Sequence, residues 1–155
     1  MKQWLDDIFI IDQSGIPFWS YCYGGENCKR YPDHVLQTGM LAAFFQFGQE
    51  FGQKIVERVQ FDTGNFFFFY DKPIITVFAT ASDVDPEVVK EKVMKATDLF
   101  KGHFSDKIEG LTLVDPADFA VMGDLLQEKG IVDYEPKMPL TKSFKKKKWW
   151  QRFFG

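Results

Sequence analysis

Asp7-Ile8-Phe9-Ile10-Ile11-Asp12-Gln13-Ser14-Gly15-Ile16-Pro17-Phe18-Trp19-Ser20-Tyr21-Cys22-Tyr23 carries two β-rich runs on either side of Ser14-Gly15. Apolar, β-branched and aromatic residues split by a turn pair of this kind predict a hairpin. The chain therefore opens on two paired antiparallel strands. Gly24-Gly25-Glu26-Asn27 then breaks the alternation and begins a loop.

Beyond the loop, Pro32-Asp33 predicts the start of a helix that runs to about Gly52, with Asp33 as its N-cap. Leu36, Met40, Ala43, Phe44, Phe47 and Phe51 recur at helical spacing and form its main stripe. Val35, Leu41, Ala42 and Phe45 put apolar groups on much of the remaining circumference, so the helix is expected to be covered on more than one side. Three strand-like segments come next at 54–62, 65–70 and 73–81, separated by Asp62-Thr63-Gly64-Asn65 and Asp71-Lys72-Pro73. Phe66-Phe67-Phe68-Phe69-Tyr70 and Ile74-Ile75-Thr76-Val77-Phe78 are apolar on both faces, which requires cover on both sides of a sheet.

Asp85-Pro86-Glu87 and Asp115-Pro116-Ala117-Asp118 each supply an N-cap, a proline at the first helical position and acidic charge at the positive helix end. They predict two closing helices, the second stopping at Gly130, a suitable C′ residue. The order is ββ-α-βββ-α-α: an α+β domain with a five-stranded antiparallel sheet and helices on both faces. It is expected to occupy residues 1–134, with 135–155 as a linker and tail. A chain of 155 residues with 45% hydrophobic content is sufficient for one such core.

This order of elements, opened by the hairpin Ile8-Phe9-Ile10-Ile11-Asp12-Gln13-Ser14-Gly15-Ile16-Pro17, resembles the longin domain and, more loosely, the roadblock and profilin-like folds. The resemblance covers about residues 5–131. It implies a non-enzymatic adaptor or scaffold in trafficking-like machinery, with small GTPases or other longin/roadblock domains as partners. It also implies pairing through the first helix or a sheet edge, including a homodimer.

The residues themselves offer little chemistry. His34 and His103 are the two histidines and fall on different helices. Cys22 and Cys28 lack the spacing of a zinc knuckle, and no second Cys/His pair comes after them. Gly24-Gly25 is not followed by Gly-Lys-Ser/Thr, so no phosphate cradle is present there. Asp83, Asp85, Asp115 and Asp118 read as loop and cap residues. No enzyme activity, metal or cofactor is expected. Without an apolar leader at Met1–Asp7, the cysteines are expected as free thiols in a reducing cytosol.

Two surfaces remain. Leu41 and Phe45 lie off the main stripe of the first helix, beside Gly48 and Gly52, and form a candidate partner interface. The second surface is the C-terminal stretch, which holds seven Lys/Arg and no Asp or Glu between Lys137 and Gly155. Removing those seven charges from a chain of net charge −3 leaves −10 on residues 1–136. Lys142, Lys145, Lys146, Lys147, Lys148 and Arg152 supply cations beside Trp149, Trp150, Phe153 and Phe154. In a helix those four rings would fall within an arc of about 140° at ~100° per residue. Trp favours the headgroup level of a bilayer, and each cation near an anionic surface contributes about 1 kcal/mol. The expected location is cytoplasmic and peripheral, on an anionic membrane. Docking on the acidic domain or on a partner, an inert tail, and nucleic-acid binding are the competing readings, with nucleic acid disfavoured. A different class of function is a carrier of a small ligand or lipid chain, its pocket built from the Phe-rich interior.

Overall fold

The structure, a computed structural model, describes residues 3–29, 34–50, 57–108 and 114–140. The opening hairpin forms as β1 (Leu5–Asp12) and β2 (Pro17–Cys22). Asp12 holds its turn: one carboxylate oxygen accepts from the Ser14 amide, the Ser14 hydroxyl and the Ile16 amide, each at 2.9 Å. Next comes α1 (His34–Glu50), then β3 (Arg58–Gln60), β4 (Asn65–Asp71) and β5 (Ile74–Thr80). The chain continues through α2 (Pro86–Ile108) and α3 (Met122–Glu128) to β6 (Met138–Pro139).

The sheet has six antiparallel strands in the order β3-β4-β5-β1-β2-β6, one more than expected. The additional strand is two residues long and pairs Met138 with Cys22 and Pro139 with Tyr21. So short a segment has no periodicity to read, and its proline argues for a linker. At a sheet edge a proline is tolerated. The flanking amides make the bonds, Lys137 donating to the Cys22 carbonyl at 2.9 Å and Leu140 to that of Ser20 at 2.8 Å. Ordered packing thus extends past Tyr134 to Leu140, and Ile131, Val132 and Leu140 are all buried.

Alternation along β1 divides the interior into two cores. Leu5, Ile8 and Ile10 face α2 and α3, meeting Val93, Phe100, Met122 and Leu126. Phe9 and Ile11 face α1, meeting Leu41, Ala42 and Phe45. Helices therefore cover both faces of the sheet. Phe67 enters the first core and Phe68 the second, so the Phe run is a strand buried from both sides.

The Asp-Pro starts behave differently from one another. At α2 the Asp85 carboxylate accepts from the Glu87 amide at 3.0 Å. At the second, Asp115 accepts from Ala117 at 3.0 Å, but the chain then makes one 3₁₀ turn, Pro116–Phe119, before α3 begins. The end of α3 is a Schellman motif. The Gly130 amide donates to Gln127 at 3.1 Å and the Ile131 amide to Leu126 at 3.0 Å, with Gly130 at φ +70°.

Candidate functional site

At the strand end that holds the start of β1 and the end of β5, the β1–β5 ladder carries a bulge. Leu5 pairs with Thr80 and Asp7 with Ala79, leaving Asp6 as an extra residue. Bulges re-aim side chains. Here Asp6 and Asp7, which alternation would send to opposite faces, both line one cleft of about 290 Å³. Glu26 and Asn27 close a second side of it, and the β3–β4 hairpin closes the third with Phe61, Thr63, Gly64, Asn65 and Phe66.

The loop after β2 is shaped to bring Glu26 and Asn27 there. Gly24 adopts φ +149°, and a Cβ on Gly25 would stand 2.8 Å from the Asp6 Cβ, too close for a side chain. The following 3₁₀ turn, Glu26–Cys28, places Asn27 so that its Nδ2 donates to Asp7 Oδ2 at 3.0 Å. Gln37 of α1 donates in turn to Asn27 Oδ1 at 2.9 Å, fixing the amide orientation. Burial, then the charge of Asp6, push the Asp7 carboxyl up to about 7, while the Asn27 hydrogen bond pulls it down. Burial also raises Asp6. Asp7 Oδ1 and Asn65 Oδ1 are buried and have no hydrogen-bond partner among the described residues. Phe61 and Phe66 meet edge to face, centroids 5.3 Å apart, on the cleft wall.

The cysteines are not free thiols. Cys22 and Cys28 form a disulfide, their Cα atoms 5.6 Å apart, within bridging range. The Gly24-Gly25 turn and the 3₁₀ turn bring them together. The free-thiol expectation rests on compartment, and local geometry overrides it.

The assignment of faces on α1 is also corrected. Leu41 and Phe45 are buried at 3% and 0% exposure, whereas Met40 and Phe47 of the expected core stripe are exposed at 53% and 63%. Phe45 packs against Tyr70 with ring centroids 4.6 Å apart and planes tilted by 53°. Leu41 and Phe45 are thus unavailable to a partner, and Gly48 is half-buried. Gly52 lies outside the described residues, as do Lys142, Lys145, Lys146, Lys147, Lys148, Trp149, Trp150, Arg152, Phe153 and Phe154. His103 sits on α2 against Phe104, with ring centroids 4.7 Å apart. No group of three or more His, Cys, Asp or Glu among the described residues is placed to hold a metal ion, and no described helix is long and apolar enough to cross a membrane.

Among solved structures, a Roadblock/LC7 domain from Streptomyces avermitilis matches with TM-score 0.54, 8% identity, and coverage of 67% of this chain and 88% of that one. The fold is longin/roadblock-like. Myxococcus xanthus MglB matches with TM-score 0.51 and 14% identity over 66% of this chain and 85% of its own. No protein-family model matches the sequence, and neither does any curated protein.

Sequence reasoning missed the cleft of this longin/roadblock-like domain. One signal was present: two adjacent carboxylates entering a strand that is otherwise apolar. Charge at an inward-facing register demands a partner or a ligand. Which way Asp6 and Asp7 face depends on a bulge defined by β5, some seventy residues away.

Proposed function

We propose that this protein is a non-enzymatic adaptor, held peripherally on an anionic membrane by its basic-aromatic segment and presenting its longin/roadblock-like domain to a protein partner. A small GTPase or another longin/roadblock domain, including a second copy of this chain, is the partner class that the fold suggests. That step is an analogy from fold, since fold does not fix function. The carrying observation is the segregation of charge, seven cations in the last nineteen residues of a chain of net charge −3. Such an arrangement repels a phosphate surface from the body and attracts it to the tail. On the domain, the outward residues Met40 and Phe47 of α1 supply exposed apolar area for a partner.

Liposome co-sedimentation tests the membrane part. The full chain is compared with a full-length variant carrying Trp149→Ser, Trp150→Ser, Phe153→Ser and Phe154→Ser, on neutral and anionic vesicles at low and high salt. Substitution is preferable to truncation at Pro136, which would strip β6 and bury nothing in place of Leu140. Salt-sensitive binding to anionic vesicles by the parent, weakened in the variant, supports the reading. Equal sedimentation of the two, or none, ends it.

A further inference from the structure

Among the described residues, the charge-bearing ones that line the cleft beside the β1 bulge are all acidic: Asp6, Asp7 and Glu26. Two buried acceptors, Asp7 Oδ1 and Asn65 Oδ1, lack donors among the described residues. Asp7 is only 6% exposed and Asn65 5%, so these are enclosed side chains rather than a solvated acidic patch. An unpaired buried acceptor carries a free-energy cost, which a donor-only ligand bonding Asp7 Oδ1 would remove. The wall opposite offers the rings of Phe61 and Phe66, which attract a cation over their faces. A volume of about 290 Å³ lies at the small end of ligand sites, which suits one side chain or small amine rather than a nucleotide or lipid. A metal ion is a poor match, because no set of three ligating groups converges among the described residues.

We infer that this cleft binds an organic cation of the guanidinium or alkylammonium type, as carried by Arg and Lys side chains. Arg fits best: five N–H donors and no acceptor, with a planar head that can bond the Asp7 carboxylate while lying against a phenyl ring. The source is either the chain's own basic segment or a separate molecule. The inference does not depend on the membrane reading.

The test is an NMR titration of the full chain with N-acetyl-arginine amide, following the side-chain amide signals of Asn27 and Asn65. The neutral N-acetyl-citrulline amide and Ca²⁺ serve as comparison probes. Saturable shifts with the arginine probe alone, lost in Asp7→Asn, support the site. Shifts that emerge only once Lys142, Lys145, Lys146, Lys147, Lys148 and Arg152 are all replaced by Gln support it with the chain's own segment as occupant. Because the cation requires ionised Asp7, affinity should fall about a hundredfold between about pH 8 and about pH 5. Asp6 and Glu26 share the cleft, and among the described residues the exposed Lys29 pairs with Glu26 at 3.5 Å. Equal shifts with the citrulline probe, tighter binding of Ca²⁺, or no shift in either form of the chain overturns the inference.

Discussion

Asp7 shows at residue scale how position changes chemistry. Its folded carboxyl titrates at about 7 rather than at the ordinary 3.8, so the folded chain holds the proton more tightly than the unfolded one. This contribution favours folding most below about pH 4, weakens as pH rises, and is a full penalty above about pH 7. Asp7→Asn removes the charge and keeps an acceptor for Asn27. The variant should exceed the parent in stability by roughly 2–4 kcal/mol at about pH 8, with the difference fading toward about pH 4. Urea denaturation at both pH values measures this; a constant difference would mean that Asp7 is ionised in the folded protein. The paired carboxylates show locally that a partner is needed, but the environment itself is built by Ala79, Asn27 and Asn65, which arrive from elsewhere in the chain.

At the scale of elements, the ends of the helices follow local rules while their faces do not. Gly130 is legible as a stop, and its φ of +70° with open space around the missing Cβ separates conformational strain from steric conflict. Gly130→Ala should therefore cost about 1 kcal/mol, read from the denaturation midpoint, and Gly130→Asn less. No loss in the alanine variant would show that the cap does not need the left-handed conformation. The stripe on α1 is ambiguous in sequence because both of its possible faces are apolar. Close approach of the Gly15 turn to Thr38 and Gly39, together with the fit of Phe45 on Tyr70, selects the one with small residues. Residues 135–140 read as a linker from their prolines, yet Leu140 is 2% exposed in the α1-side core. Leu140→Ala should destabilise the fold by about 2–4 kcal/mol, whereas a linker residue would leave stability unchanged.

For the whole molecule, the bridge between Cys22 and Cys28 joins the end of β2 to the loop that builds one side of the acidic cleft. It closes a short loop, six residues in separation, so reduction should lower stability by about 2 kcal/mol. Comparing urea midpoints with and without dithiothreitol measures the change. Such a bond persists in oxidising surroundings and opens under a cytosolic thiol pool. The same comparison, read on the Asn27 amide signal, reports whether the cleft outlasts reduction. Loss of that signal with the rest of the spectrum intact would mark the bridge as a local staple for the site.

The sequence by itself determined the element order, the hairpin turn at Asp12–Gly15, the aspartate caps, the stop at Gly130 and the division of charge between body and tail. These depend on neighbours a few residues apart, where propensity, spacing and composition act directly. Tertiary structure alone decided which side of α1 is buried, that Met138–Pro139 completes the sheet, that the cysteines meet, and that Asp6 and Asp7 share one cleft. Each of those outcomes turns on strand register and packing between segments distant in the chain, and a single bulged residue is enough to send a side chain to the other face.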